Sequence, residues 1–388
     1  MLSPTPLALL SALLLCLPLA ILFTINSSRP TTTITGGGGG HGSPFSISVP
    51  RFYNTRKTRQ IFDTRTVLSP PPPPPPPEDD DSLFRVASRV NSKPPRSSPK
   101  KLAFMFLTTT PLPFAPLWEL FFNQTPKTLF NIYVHADPSY EYDPPFSGVF
   151  ANRVIHSKPA LRLTPTLTSA ARRLLAHALL HDRANSMFAL LSPSCIPIHS
   201  FNFTYKTLMS SKKSFIEILK DEPGSFDRWA VRGADAMLPE VKLEDFRIGS
   251  QFWVLTRKHA RLVVSDRKMW RKFNQPCVRE DICYPEENYF PTLLHVRDPR
   301  GCVPATLTHV DWTVSEDGHP RMYADWEVGP DLISELRKAR PRYGEDETIN
   351  GSDFAVKERR DPFLFARKFS PGSLQPLLSL SKDVLFKD

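Results

Sequence analysis

Proline crowding in the first hundred residues is the feature that most constrains the fold. Of the 41 prolines, 17 lie in residues 1–100, and they include the unbroken run from Pro70 to Pro77. Proline fixes one backbone torsion and has no amide hydrogen to donate, so few packed domains contain such a run. The core must therefore come from residues 101–388, which are numerous enough to bury one large core or two tightly packed lobes.

Residues 7–25 form an almost wholly apolar segment of 19 residues without a charged side chain. At roughly 1.5 Å of rise per residue, such a helix spans about one bilayer. A cleaved signal peptide and a buried core helix are the alternatives. Signal peptides usually have a shorter apolar core and a basic start, and no Lys or Arg precedes this segment. We therefore predict a retained membrane anchor in residues 1–28.

Residues 29–100 consist of separate blocks rich in threonine, glycine, basic residues, proline and serine. This composition does not bury enough apolar surface to offset the entropy of ordering. We predict a disordered stem, in which Pro70 to Pro77 form a polyproline II rod of roughly 25 Å. A ligand for a proline-binding domain is the alternative, and a spacer is the simpler interpretation.

The positive charge is concentrated outside the predicted folded part. The formal net charge is +10, and residues 1–100 carry 11 Lys and Arg against 5 Asp and Glu, which leaves +4 for residues 101–388. A nucleic-acid groove would crowd basic residues on a folded face, so that class is disfavoured, whereas a small anionic ligand is compatible. Five cysteines without a CxxC spacing also disfavour a disulfide scaffold and a structural zinc site.

Short apolar runs alternate with helical periodicity in residues 101–388, which predicts an α/β fold whose sheet is largely parallel at its start. Ligands of such sheets lie beyond the carboxyl ends of the strands, here near residues 108–110 and 135–137. The predicted strands are residues 102–107, 130–135, 153–156, 187–191, 252–255, 306–310 and 363–365, and the predicted helices are residues 167–180, 331–339 and 373–386, with another beginning near Pro285.

Four side chains are candidates for chemistry, each beside a simpler explanation. Glu286 and Glu287 begin a predicted helix, where acids stabilise the helix dipole. Trp312 follows a predicted strand, where an aromatic ring can stack on a sugar, although core packing is the default. Lys368 follows an apolar run, where lysines usually meet solvent.

A divalent metal has little support in this sequence. No Asp-x-Asp motif follows a predicted strand, and the nearest patterns are His135-Ala-Asp137 and Glu345-Asp-Glu347. We therefore expect no metal. A metal-free site would need arginine or lysine to neutralise a departing diphosphate.

Five sequence blocks occur in a characteristic order: FNIYVHAD at 130–137, FALLSPSCIPI at 188–198, GSQFW at 249–253 followed by VSD, PEENYFPT at 285–292, and FLFARKF at 363–369. Together they resemble the core-2/I-branching β-1,6-N-acetylglucosaminyltransferases, especially the plant branch. The resemblance implies a Rossmann-like glycosyltransferase domain of the GT-A kind in residues 101–388. It also implies a type II Golgi membrane protein with a lumenal catalytic domain.

The resemblance further implies sugar transfer with inversion and without a metal, from a UDP-sugar, with UDP-N-acetylglucosamine suggested, to a glycan hydroxyl. Glu287 matches the family's general base and Lys368 its diphosphate-binding lysine. A second cation is expected upstream, where Arg321 is the nearest match, one residue out of register. Arg337, Arg359 and Arg360 stay open as alternatives. The other matches are Asp137 for the nucleotide, and Trp312, Gly249 and Ser250 for the acceptor.

Two departures from the family stand out. Many relatives have Trp-Gly before the first long helix, where this chain has Arg162 and Leu163, so the donor sugar is left open. The animal enzymes also have more cysteines. Cys277 and Cys283 are positioned to close a small loop before Glu287, but Cys195, Cys277, Cys283 and Cys302 allow three pairings. If the domain is lumenal, sequons make Asn123, Asn202 and Asn350 candidate glycan acceptors.

Two other classes remain as alternatives: a non-catalytic lumenal glycan-binding or scaffold protein on the same fold, and a proline-rich structural wall protein. The presence of both Glu287 and Lys368 favours an enzyme over a scaffold. The long proline run is confined to the stem, which disfavours a wall protein. UDP binding without turnover across a panel of acceptors would favour the scaffold.

Overall fold

Two β-sheets organise the protein, seen here in a computed structural model that describes residues 79–313, 319–344 and 361–388. The larger sheet has six strands and the smaller has three. The strands are β1 (Lys101–Thr108), β2 (Phe130–Ala136), β3 (Asn185–Leu191), β4 (Ile196–Pro197), β5 (Ser214–Phe215), β6 (Val254–Thr256), β7 (Cys302–Val303), β8 (Thr308–Val310) and β9 (Phe365–Arg367). Their order is β2-β1-β3-β6-β5-β7 in the larger sheet and β4-β9-β8 in the smaller.

Helices cover both faces of the larger sheet. They are α1 (Asp80–Ser88), α2 (Ala115–Phe122), α3 (Pro165–His181), α4 (Phe201–Ser210), α5 (Ser225–Ala230), α6 (Arg257–Ser265), α7 (Lys268–Phe273), α8 (Pro285–Arg297), α9 (Pro330–Lys338) and α10 (Leu374–Leu380). A π-helical turn, Ser381–Leu385, continues α10. Several helices begin at a proline, whose fixed torsion suits the first helical position.

The start of the larger sheet is parallel. β1 pairs in parallel with β2 on one side and β3 on the other, because α2 and α3 return the chain between successive strands. β6 then pairs antiparallel with both β3 and β5, and β5 pairs in parallel with β7. The structure thus confirms a mixed α/β fold with a central, mostly parallel sheet.

Side chains of β1 alternate between two apolar layers. Phe104 and Phe106 pack edge-to-face against Trp118 of α2, with ring centroids 6.1 and 5.1 Å away. Met105 points to the other layer, which contains Leu174 of α3. A strand covered on both faces reads as a continuous apolar run, which is why β1 was predictable.

The smaller sheet brings two distant segments together. β9 pairs antiparallel with β4 and in parallel with β8. Because β8 and β9 run in the same direction, the residues that follow them, Asp311 and Lys368, lie at the same edge.

Most predicted strands and helices are present, within a few residues at their ends. The predicted strand at residues 153–156 is wrong, because the structure has only an isolated bridge between Val154 and Val134 there. A strand needs a continuous ladder, and this segment borders β2 at a single position.

The prediction of a disordered stem up to residue 100 is wrong for residues 80–88. These residues form α1, whose N-terminal amides are capped by the Asp79 carboxylate. Leu83 and Phe84 are buried, and the Arg172 guanidinium lies 4.4 Å from the Phe84 ring. Asp80 also pairs with Lys158 at 2.7 Å. Tertiary contacts with α3 therefore order a segment whose own composition does not.

The predicted anchor, residues 1–28, and the remainder of the predicted stem up to residue 78 lie outside the described residues. Among the residues that are described, no helix has the length and apolar character to cross a membrane. Of the three open cysteine pairings, the structure has Cys277 bonded to Cys283. Cys195 and Cys302 are buried and form no disulfide bond.

Candidate active site

The first turn of α8 presents two adjacent carboxyl groups in different surroundings. Pro285 occupies the first helical turn, followed by Glu286 and Glu287. Successive helical residues point about 100° apart, so one acid faces the interior and the other the solvent. Glu286 is 4% exposed, whereas the Glu287 side chain is 27% exposed. Only Glu287 is accessible to a ligand in this geometry.

An arginine from α5 holds Glu287 in place. The Arg228 guanidinium donates a hydrogen bond to the Glu287 carboxylate, with 2.9 Å between Nη1 and Oε2. The same guanidinium lies 4.3 Å from the Tyr284 ring. The stacked ring and the ion pair together fix the carboxylate's orientation.

The loop that contains Gly249 and Ser250 packs directly beside Glu287. The Gly249 N–H donates to the Glu287 carbonyl oxygen at 2.9 Å. A side chain at position 249 would place its Cβ 2.1 Å from the Glu217 carbonyl oxygen, so only glycine fits. The Ser250 Oγ accepts the Phe252 N–H at 3.2 Å. Gly249 therefore lies beside the predicted base, and Ser250 is the next residue of the same loop.

Glu217 is an acid of this region that sequence reasoning missed. The pKa of Glu217 is raised to about 7, mainly by burial and to a smaller extent by the charge of Glu287, against an opposing effect of Arg342 and the Ser250 backbone. The pKa of Glu286 is raised to about 8, again mainly by burial and to a smaller extent by the charge of Glu287. The two carboxyls that flank Glu287 therefore retain protons to a much higher pH than exposed glutamates do. No local sequence motif marks Glu217, because only the fold brings it here.

Positive charge collects where β9 ends. The Arg367 guanidinium lies 4.7 Å from the Phe252 ring, and burial lowers its pKa while the charge of Glu287 raises it. Burial also lowers the pKa of Lys368, and the charges of Arg367 and Arg162 lower it further. Like charges held together in a half-buried position favour an anionic ligand.

The charge of Glu287 reaches the end of β9. Glu287 acts electrostatically on Arg367, the residue immediately before Lys368. Phe252 links the Gly249 loop to β9, since it follows that loop and packs against Arg367. Glu287 and Arg367, far apart in sequence, are therefore close enough in the fold for their charges to interact.

Arg321 lies near Lys368, but carboxylates already surround its guanidinium. It pairs with Glu327, and its Nη1 is 3.5 Å from the Asp311 carboxylate. Tyr323 connects this segment to Lys368, because the Tyr323 N–H donates to the Lys368 carbonyl oxygen at 2.8 Å.

The other arginines considered for the second cation differ in what the structure shows of them. Arg337 donates to the carbonyl oxygens of Ile198 and Leu385 and pairs with Asp388, which occupies its guanidinium. Arg359 and Arg360 lie outside the described residues.

Trp312 follows β8 and its side chain is half exposed, at 53%. A second tryptophan, Trp326, is 85% exposed in the 3₁₀ turn Asp325–Glu327. Trp312 therefore does not occupy the core position that is the default for a tryptophan. Trp326 was not singled out from the sequence, where nothing distinguishes it from a core residue.

Asp137 lies at the carboxyl end of β2, as predicted, and both its oxygens accept backbone hydrogens. Oδ1 accepts the Ser139 N–H and Oδ2 the Ala160 N–H, each at 2.8 Å. Burial acts to raise the pKa of Asp137, but these hydrogen bonds outweigh it, so the pKa lies below its usual value. Asp137 thus stays ionised and fixes the loop that leads to α3.

Other predicted features are distributed over the surface. Asn123 and Asn202 are exposed, and Asn350 lies outside the described residues. Within residues 79–313, 319–344 and 361–388, no group of three or more His, Cys, Asp or Glu side chains is arranged to hold a metal. A cavity of about 230 Å³ lies elsewhere, lined in part by Lys100, Lys212 and Arg257, and it includes none of the predicted site residues.

Comparison with known proteins supplies the class. The family model described as Core-2/I-Branching enzyme matches residues 102–337. The curated protein named Glycosyltransferase BC10, from Oryza sativa subsp. japonica, is 31% identical over 314 residues, which cover 72% of this chain and 76% of that protein. The chain is therefore an enzyme of the glycosyltransferase class. Within that class, it belongs to the family of Core-2/I-branching enzymes.

Proposed function

We propose that this protein is an inverting, metal-independent glycosyltransferase that moves a sugar, N-acetylglucosamine in the first instance, from a UDP-sugar to a glycan hydroxyl. The GT-A form of the α/β fold, the lumenal Golgi location and the anchor in residues 1–28 are parts of this proposal. One observation carries it: Glu287, a partly exposed carboxylate oriented by Arg228, lies within electrostatic reach of Arg367 at the end of β9, next to Lys368.

In the proposed reaction, Glu287 takes the proton from the acceptor hydroxyl as that oxygen attacks the anomeric carbon of the donor. The bond between this carbon and the phosphate oxygen breaks at the same time, and its electron pair leaves with UDP. Attack from the face opposite the leaving group inverts the configuration. Such a base contributes about 10²–10⁴-fold in rate.

Lys368 is proposed to stabilise the departing diphosphate together with a second cation. Asp137 at the end of β2 is proposed to contact the nucleotide. Trp312, Gly249 and Ser250 are proposed to shape the acceptor side, a role supported by the half-exposed tryptophan ring and by the close packing of Gly249 against Glu287.

The test is a donor screen with the detergent-solubilised full-length chain, read by released UDP with and without EDTA. We expect turnover with a UDP-sugar that persists in EDTA and falls about 10²–10⁴-fold in Glu287→Gln. The matched control is Glu244→Gln, since the Glu244 side chain is 72% exposed. Full activity of Glu287→Gln would remove the assigned base, and loss of activity in EDTA would remove the metal-independent mechanism.

A further inference from the structure

Arg162 acts on both sides of the candidate site. Its positive charge lowers the pKa of Lys368 and that of Arg367, after the larger effect of burial in each case. The same charge lowers the pKa of Glu286, against burial. Arg367 and Lys368 lie at the end of β9, and Glu286 lies in the first turn of α8, two parts of the chain that are far apart in sequence. The charge of Arg162 therefore acts on both of them.

The loop that carries Arg162 is held in place by hydrogen bonds on both sides of it. Before it, the Ala160 N–H donates to Asp137 at 2.8 Å, and the Leu161 N–H donates to the Thr166 hydroxyl at 2.9 Å. After it, the Thr164 hydroxyl donates to the Leu161 carbonyl oxygen at 2.8 Å. The backbone that presents Arg162 is thus fixed before any ligand binds.

Contacts of this loop reach both the first turn of α8, which carries the two acids, and the segment near Lys368. A hydrogen-bond interaction with the Leu163 backbone lowers the pKa of the Glu286 carboxyl. The Arg162 guanidinium contacts the His319 imidazole. His319 begins the segment that reaches Tyr323, whose N–H donates to the Lys368 carbonyl oxygen. The loop of Arg162 therefore contacts the first turn of α8 and the segment that is hydrogen-bonded to Lys368.

Arg162 and Arg321 differ in how their charges are compensated. Arg321 is engaged by two carboxylates, Asp311 and Glu327. Among the residues that the structure describes, no carboxylate forms an ion pair with Arg162, which lies on an exposed stretch of the loop. An arginine fork without a carboxylate partner is suited to bidentate contact with phosphate oxygens.

We propose that Arg162, rather than Arg321, is the second cation that holds the diphosphate of the nucleotide-sugar donor, opposite Lys368. This inference rests on the proposed function. It assigns the positioning of the donor to a residue at a place where many relatives have a tryptophan. As the bond to the anomeric carbon breaks, the negative charge that develops on the phosphate oxygen would be shared between Arg162 and Lys368.

The experiment measures binding of UDP, UMP and uridine to the full-length protein by isothermal titration, for the wild type, Arg162→Ala and Arg162→Lys. A hydrogen bond to a charged group contributes about 1.5–3 kcal/mol, so Arg162→Ala should weaken UDP binding about 10–100-fold. Uridine binding should change less than about twofold, because uridine has no phosphate. Arg162→Lys should recover part of the loss, since lysine keeps the charge without the fork. Arg271→Ala, at an exposed position of α7, is the matched control.

The outcomes separate the two proposals. If wild-type protein binds UDP and Arg162→Ala binds it equally well, the assignment of Arg162 is overturned while the proposed function stands. Equal losses for UDP and uridine would also overturn it, since the effect would not then depend on phosphate. If the wild type neither binds UDP nor releases it from any donor, both proposals fall.

A second comparison excludes an indirect effect through Glu286. In a Glu286→Gln background, Arg162→Ala should still weaken UDP binding about 10-fold or more. No further loss in that background would show that Arg162 serves only to balance the Glu286 charge, and this would overturn the inference. Thermal midpoints of all variants establish that each is folded, and Arg162→Lys supplies the test if the alanine variant is not.

Discussion

The two sides of the candidate site carry opposite charges and balance them differently. On the acid side, Glu287 is paired with Arg228, while burial keeps protons on Glu217 and Glu286 to about pH 7 and 8. The cation side has Arg162, Arg367 and Lys368; like charges lower the pKa of the last two, after burial.

This difference indicates which side of the site is stabilised by a bound ligand. On the acid side the negative charge is already reduced, because Glu287 is ion-paired and burial favours the protonated forms of Glu217 and Glu286. The cation side gains stability when an anion arrives, as a diphosphate does. A base that is already oriented and a cluster of cations that can bind a diphosphate are what a single displacement at a sugar phosphate requires.

The largest expected effect is on UDP binding, which should depend on the cation side and not on the acid side. Lys368→Ala should weaken UDP binding about 10–100-fold, since it removes a charged contact to the diphosphate. Glu287→Gln should change UDP binding less than about twofold, because the base faces the acceptor. Titration calorimetry on both variants checks this, with exposed Lys382→Ala as the control. Equal UDP binding by wild type and Lys368→Ala would contradict the proposed role of the cation side.

The next effect concerns how the acid side is tethered. The Cys277–Cys283 bond closes a loop of seven residues just before α8. Replacing both cysteines by serine should cost about 2 kcal/mol in the free energy of unfolding, by the loop-entropy estimate. Urea unfolding of the wild type and the double variant measures it. UDP binding should be unaffected, since the cation side does not depend on this loop. An unfolding midpoint that does not move would contradict the tether.

The remaining effect is a pH dependence of stability. The pKa of Glu286 is raised from its ordinary 4.5 to about 8, so the folded protein retains a proton that the unfolded chain releases between these values. Folding stability is therefore lost as the pH rises through this window. Glu286→Gln should remove that loss, so its advantage in thermal midpoint should grow from pH 5 to pH 8. A constant difference across that range, or equal behaviour of Glu244→Gln, would contradict the raised pKa.

Much of the central sheet was predictable because its strands are local signals. β1, β2 and β3 are short apolar runs, and Pro285 marks the start of α8 by its backbone restriction alone. The family resemblance then pointed to Glu287 and Lys368, whose roles stay predictions.

What could not be predicted depends on contacts between distant segments. Residues 80–88 read as stem until Leu83 and Phe84 are buried by other helices. Glu217 stands in no motif and gains its significance from Glu287 of α8. Arg162 stands out in the sequence only as a departure from Trp-Gly, and its effects on Glu286 and Lys368 depend on the fold. Arg321 aligned best as the second cation, but alignment does not show that Asp311 and Glu327 already engage it.

The most direct measurement is an experimental structure of the protein with UDP bound. We expect the diphosphate between Lys368 and Arg162, with the Glu287 carboxylate on the acceptor side and not in contact with UDP. UDP bound instead in the separate cavity beside Lys100, Lys212 and Arg257, with Lys368 and Glu287 untouched, would contradict a single site built from these two sides.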